Sequence, residues 1–299
     1  MPDPIILGTI GLDDVKTPFG EVKSALGGSS VYSSIAASFF SEPGIIAPAG
    51  QDLPKDYEDF LKSRGISLKG VVKKGKNFRW QGYYEYDMNE AKTINTELNS
   101  LADFDPKIPE EYKKAKFVFL ANIDPEIQIK VLKQVEDPKF VMIDSMNFWI
   151  EIKREKLLEA MSKADAILLN EGEARMLFKT PSLVKAGRQM LDLGVRYAII
   201  KKGEHGSLLF SDNSYFSAPG YPLEDVVDPT GAGDSFAGAI IGYLSKTQDI
   251  SEKNMRKAIV YGSTIASFNA EGFSVNNLKT LTMQKIEKRF EEFRDLGDF

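Results

Sequence analysis

The sequence predicts an α/β protein, with a mostly parallel sheet flanked by helices and a small β lid. Short apolar runs rich in β-branched and aromatic residues recur at 5–10, 45–49, 117–121, 140–143, 166–169 and 197–200, as in strands buried on both faces. Helical apolar spacing fills several gaps between them, at 125–135, 156–161 and 181–193, and this alternation is the mark of a parallel sheet. Residues 78–96 break the rhythm. Phe78, Trp80, Tyr84 and Tyr86 stand at even spacing, the turn-forming Asp87-Met88-Asn89-Glu90 follows, and a second polar strand completes a hairpin. Such a hairpin protrudes as a lid over a substrate, serves as a dimerisation surface, or packs its aromatic face on the main body.

Each element has a local reason. Pro181 suits the first turn of the helix it opens. The last third turns helical, with amphipathic and proline-free segments at 233–245, 252–268 and 283–293 that can cover one side of the sheet. No repeat or low-complexity linker divides the chain, so residues 1–299 are expected to form one domain with the lid hairpin inserted around 78–96.

Composition narrows the function. Hydrophobic residues make up 42% and charged residues 27%, ordinary usage for a protein that folds in water. The net charge of −5, with Lys and Glu interspersed, leaves no basic footprint for nucleic acid. No apolar run reaches membrane-spanning length and no leader segment is visible, so a cytoplasmic protein without membrane contact is expected. The absence of cysteine excludes disulfides and thiolate metal sites. The single histidine, His205, cannot build a His-rich zinc site, and within Lys202-Gly203-Glu204-His205-Gly206 it belongs to a tight turn.

The segment that carries chemistry is Asp228-Pro229-Thr230-Gly231-Ala232-Gly233-Asp234-Ser235-Phe236-Ala237-Gly238. Its glycines permit backbone angles that aim successive N–H groups into one concavity, and an apolar helix begins directly after them. A helix N-terminus fed by such a turn attracts anions, because its first N–H groups lack intrahelical partners. Asp234 stands at the same mouth. A carboxylate there would repel phosphate, but it can accept a proton from an attacking hydroxyl; alternatively it caps the helix.

The eleven-residue run resembles the C-terminal signature of the ribokinase-like (pfkB) family of carbohydrate and nucleoside kinases. The resemblance implies a ribokinase-like fold, a backbone oxyanion hole at Gly231, Ala232 and Gly233, and Asp234 as catalytic base. Further landmarks follow in the family's order. Gly8-Thr9-Ile10-Gly11-Leu12-Asp13 is similar to its first strand and turn, whose aspartate holds substrate hydroxyls; Asp13 matches that position ahead of Asp14. Gly27 and Gly28 resemble its diglycine, where ligand approaches bare backbone. Asn170-Glu171-Gly172-Glu173 resembles its Asn-Glu-x-Glu element, which implies Asn170 near the nucleotide phosphates and Glu173 acting on magnesium through the metal's water shell. Lys201-Lys202-Gly203, with Gly206 beyond, resembles its nucleotide-side loop. Residues 261–263 and 268–272 fall where the family forms its adenine pocket and monovalent-cation loop. The implied cofactors are ATP and Mg2+, with a monovalent cation such as K+.

The expected activity is therefore transfer of the γ-phosphate of ATP to a hydroxyl of a sugar or sugar-like substrate. Ser29-Ser30-Val31-Tyr32 follows the diglycine where ribose kinases carry Lys-Gly-Ala-Asn, so an aromatic replaces the asparagine expected on sugar hydroxyls. Tyr32 is either a stacking surface, which keeps a nucleoside kinase as the alternative, or helix core. A non-catalytic metabolite-binding protein is the alternative of another class; the intact Asp234, Glu173 and double glycine count against it. Gly70-Val71-Val72-Lys73-Lys74-Gly75-Lys76-Asn77 nearly spells a phosphate-binding loop, but Asn77 replaces the metal-binding hydroxyl and a strand follows. No Gly-x-Gly-x-x-Gly follows the first strand, which removes the support for a dehydrogenase. A homodimer joined through the lid completes the expectations.

Overall fold

The computed structural model describes residues 1–296 apart from 213. In chain order it contains β1 (Ile5–Leu7), β2 (Gly11–Thr17), β3 (Gly20–Gly27), α1 (Ser29–Ala37), β4 (Gly44–Ala49), α2 (Lys55–Ser63), β5 (Ser67–Lys73), β6 (Phe78–Tyr83) and β7 (Lys92–Glu97). There follow β8 (Phe117–Leu120), α3 (Pro125–Leu132), β9 (Phe140–Ile143), α4 (Asn147–Ile152), α5 (Arg154–Met161), β10 (Ala166–Asn170), α6 (Glu171–Phe178), α7 (Leu183–Leu191) and β11 (Tyr197–Lys201). The chain ends with β12 (Ser207–Ser211), β13 (Ser214–Ala218), α8 (Ala232–Thr247), α9 (Glu252–Ala270), α10 (Asn276–Thr280) and α11 (Met283–Asp295).

A nine-stranded sheet runs in the order β13-β12-β11-β10-β9-β8-β1-β4-β5. The strands from β11 to β5 pair in parallel, and β12 and β13 add an antiparallel edge. The continuous apolar runs have their cause here, since β1, β4, β8, β9, β10 and β11 are covered on both faces. Val118, Leu120, Ile143, Leu169 and Ile200 meet Leu157, Ala174 and Met190 of α5, α6 and α7. Phe117, Phe119, Phe140, Leu168 and Ile199 turn the other way, onto Phe236 and Ile240 of α8 and Ile259 of α9. Each such side chain contributes roughly 1.5–3 kcal/mol by leaving water.

From β1 the chain first builds outward through β4 and β5, then returns to lay β8 on the other side of β1. That reversal opens a crevice at the carboxyl ends of the strands, where α/β sheets bind ligands. The loops after β9, β10 and β11 all leave from this edge.

The lid differs from the predicted hairpin. β6 and β7 do pair antiparallel, but they belong to a four-stranded sheet of order β3-β2-β6-β7, with β2 and β6 parallel. Asp13 thus lies on a lid strand rather than in the turn after β1. Pro181 lies outside α7, whose first turn is capped by Ser182 instead. The phosphate-loop lookalike at 70–77 is the end of β5 plus a turn, and Asn77 is buried, accepting from the Gly50 N–H at 2.7 Å. Among the described residues no helix is long and apolar enough to cross a membrane.

Candidate active site

The N-terminus of α8 is the centre of the site. Gly231, which precedes its first turn, has φ 76 and ψ 0, a left-handed conformation that suits glycine, and the ring of Tyr32 lies directly beneath it. A Cβ at Gly231 would stand 2.4 Å from Tyr32 ring atoms. Tyr32 is 2% exposed, so of its two readings the structure gives helix core: it supports the loop and offers no open face for stacking. Two further glycines let α1 seat α8 at backbone contact. A Cβ at Gly238 would meet the Ser33 carbonyl at 2.1 Å, and one at Gly242 would meet Ala37 at 2.7 Å. The Ser33 hydroxyl adds a hydrogen bond to the Asp234 carbonyl at 3.0 Å.

The proposed oxyanion hole is narrower than the sequence suggests. The Ala232 N–H donates to the Pro229 carbonyl at 3.0 Å, closing a turn. The N–H groups of Gly231, Gly233 and Asp234 meet no acceptor among the described residues, and they are the donors open to an anion.

Asp234 does not cap the helix. The cap position is Gly231 with no side-chain hydrogen bond, and the half-buried Asp234 carboxylate accepts no hydrogen bond from the described residues. Burial, reinforced by Asp144 and opposed by Lys201, pushes it up to about 7. Asp13 enters the same cleft from β2, buried and likewise without a hydrogen-bond partner among the described residues. Burial raises it to about 8, helped by the nearby Asp228, Asp234 and Asp14. Asp14, at the bulge in β2, is committed to the Ser24 N–H at 2.7 Å. The diglycine leaves room for neighbouring protein groups. A Cβ at Gly27 would stand 1.9 Å from the Asp13 carboxylate, and one at Gly28, with φ 100, would stand 2.4 Å from the Thr9 carbonyl. Both glycines make room for the protein itself, Gly27 for Asp13 above all. Tyr84, whose hydroxyl accepts from Thr230 Oγ1 at 3.2 Å, closes the cleft from the lid; burial pushes its phenol up to about 12.

On the nucleotide side, β10 and β11 set Asn170 and Lys201 opposite each other in register. Asn170 and Glu173 form a reciprocal capping box: Asn170 Oδ1 accepts the Glu173 N–H at 2.8 Å, and Glu173 Oε2 accepts the Asn170 N–H at 2.7 Å. Glu173 thus has a structural role in capping α6. Glu173 is nonetheless buried toward the cleft, raised by burial while Lys201 opposes. Lys201 donates to Asp144 Oδ2 at 2.5 Å. Burial by itself would lower its ammonium, but Asp144 and Glu173 overcome this and raise it. Its Nζ comes within 3.3 Å of where a Gly233 Cβ would be, so a fixed positive charge lies at the anion mouth. Asp144, 3% exposed, was not among the sequence candidates, although it stands at the carboxyl end of a buried strand as Asn170 does.

Gly203 and Gly206 likewise leave room for neighbouring protein groups. At Gly203, φ 54, a Cβ would stand 1.8 Å from Oδ1 of Asn89, so the lid tip rests on the nucleotide-side loop. At Gly206, φ 79, a Cβ would meet the Ala218 carbonyl at 2.1 Å. Tyr261 stacks on Phe290 at 4.1 Å within the helical layer, and Gly262 packs on Phe236, so residues 261 and 262 fill core rather than line a pocket.

The model of pfkB family carbohydrate kinases matches residues 12–281. A cytidine kinase of Thermococcus kodakarensis is 30% identical, over 84% of this chain and 92% of its own. A nucleoside kinase of Methanocaldococcus jannaschii is 24% identical over 78% of this chain and 83% of its own. Its crystal structure superposes with a TM-score of 0.76 at 20% identity, covering 97% of this chain and 99% of that one. A ribokinase II candidate from E. coli, in complex with ATP and Mg2+, gives a TM-score of 0.79 at 18% identity, over 98% and 99% of the two chains.

Proposed function

The chain belongs to the pfkB family of carbohydrate kinases, and from that premise we propose that Asp234 is the base of an ATP-dependent phosphoryl transfer to a hydroxyl of a sugar or nucleoside. One observation carries the assignment: the Asp234 carboxylate has no structural duty, yet it stands beside unfilled N–H donors at a helix mouth and shares a cleft with the buried, unpartnered Asp13.

The roles follow from the geometry. Asp13 accepts hydrogen bonds from acceptor hydroxyls, which supply the partners its carboxylate lacks. Asp234 takes the proton from the attacking hydroxyl as its oxygen bonds to the γ-phosphorus and the bond from that phosphorus to the β-phosphate oxygen breaks, so that ADP leaves. The Gly231 and Gly233 N–H groups and the Lys201 ammonium receive the charge on the transferring group. MgATP, when bound, supplies that group and neutralises its charge. The donor set suits it. Magnesium keeps much of its water and needs few protein carboxylates, and Glu173, with one oxygen free of the cap, fits that part, while the exposed Asn170 lies on the phosphate side. The lid, with Tyr84 inside and Asn89 resting on the nucleotide loop, excludes water from the cleft.

The nucleoside reading rests on the relatives rather than on Tyr32, whose ring is buried under Gly231. ADP release measured against pentoses, hexoses, their phosphates, inositols and nucleosides identifies the acceptor. No ADP with any of them, together with tight binding of one, would turn the assignment to a metabolite-binding protein. β7 is exposed along its whole length, with Ile94 59% exposed, which supports pairing of two lids in a homodimer; sedimentation tests it.

A further inference from the structure

Residues 268–272, the end of α9 and the two residues after it, where the family resemblance suggests a monovalent cation, pack against the segment leading into the anion mouth. Such a cation is held by oxygen atoms that replace its hydration shell. The oxygens brought together here already accept from protein donors. The Ala270 carbonyl accepts the N–H groups of Val227 at 2.8 Å and Asp228 at 3.2 Å. Of the Asp228 carboxylate, Oδ1 accepts the Thr230 N–H at 3.0 Å and Oδ2 the Ser274 N–H at 3.1 Å. The Thr230 carbonyl accepts from Nδ2 of the fully buried Asn269 at 2.8 Å.

The orientation of that carboxamide is set by its donation to the Thr230 carbonyl. Reversed, it would set Oδ1 against the Thr230 carbonyl, two acceptors in contact. Its Nδ2 therefore presents partial positive charge where a cation bound to that carbonyl would sit. The Oδ1 end meets no donor among the described residues, so the bond to Thr230 is what this side chain makes. The residues present thus do not fit a cation at this loop. We propose that Asn269 replaces the monovalent cation: its amide braces Thr230, one residue ahead of Gly231, and the enzyme works without K+. The inference rests on the kinase reading for its consequence on rate, but not for its consequence on ion binding.

The test compares KCl with tetramethylammonium chloride at equal ionic strength. For the wild-type protein, the melting temperature should be the same in both salts, a result independent of any turnover. With an acceptor from the panel, kcat should agree within about twofold. Asn269→Ala removes the brace, so kcat should fall roughly tenfold or more, as for loss of one buried hydrogen bond, with the acceptor KM little changed. Asn269→Asp sets a carboxylate against the Thr230 carbonyl; it should be weak in tetramethylammonium and restored by K+. A K+-specific rise in the wild-type melting temperature, or a tenfold K+ activation of the wild type, would overturn the proposal, as would Asn269→Asp being equally active in both salts. Should either variant fail to fold, the wild-type comparison still decides. Absence of turnover with an ion-insensitive melting temperature would count against the kinase reading and leave the ion inference standing.

Discussion

Replacing Asp234 with Asn keeps the side-chain shape and removes its basicity. Positioned general bases contribute about 10²–10⁴-fold, so kcat should fall at least about a hundredfold. The structure supplies a second magnitude. Asp234 caps nothing, so no helix hydrogen bond is lost. Its carboxyl is raised from 3.8 to about 7, and at about 1.4 kcal/mol per pH unit that is on the order of 4 kcal/mol against ionisation, an upper bound for a half-buried group. The unfolded chain releases this proton near 3.8 while the folded chain holds it to about 7, so the fold loses stability as pH rises through that window. Above it the wild type bears the full penalty and the Asn variant none. Asp234→Asn should therefore melt several degrees higher than wild type near pH 8, at about 2 °C per kcal/mol, and the two should converge near pH 4. Single-turnover rates and scanning calorimetry across pH make the measurement. A variant that keeps most of the wild-type rate, or that melts lower at high pH, would refute the assignment of Asp234 as an uncommitted base.

Three further outcomes follow. Wild-type kcat/KM should rise with pH along a limb near 7, because the base acts only when deprotonated, and the limb should vanish in Asp234→Asn. Glu173→Gln keeps the capping box, since Gln accepts the same Asn170 N–H, so melting should hold while the Mg2+ concentration for half-maximal rate rises; unchanged Mg2+ dependence would leave Glu173 a cap alone. Gly203→Ala should carry a backbone cost of about 1–2 kcal/mol and push its Cβ into Asn89, displacing the lid tip. Its acceptor KM should increase and recover in part in the double variant with Asn89→Ala; an unaltered KM would show that the lid tip plays no part in holding the acceptor.

The strands of the main sheet were legible because burial on both faces leaves a local trace, an unbroken apolar run such as Phe140–Ile143. The motif at 228–238 was legible because its glycines and acid are adjacent in the chain. β2 and β3 were not read as lid strands, although Thr17-Pro18-Phe19-Gly20 carries a turn signal, because the β2–β3 hairpin joins the lid only through the pairing of β2 with β6, which lies some distance along the chain. Asp144 went unnoticed because an aspartate after a strand is ordinary until Lys201 is seen against it.

By itself the sequence determined the fold class, the family resemblance, and which loops carry chemistry. Only the tertiary structure decided what each polar side chain does. Asp234 and Glu173 are both acids at helix starts, yet Glu173 closes a capping box and Asp234 is left free. Gly27 and Gly231 are both glycines beside the cleft, yet one makes space for Asp13 and the other for the Tyr32 ring. The physical reason is common to all four: residue type fixes what a group can donate, accept or occupy, whereas the partner that commits it is set by long-range packing that brings distant segments within hydrogen-bond reach.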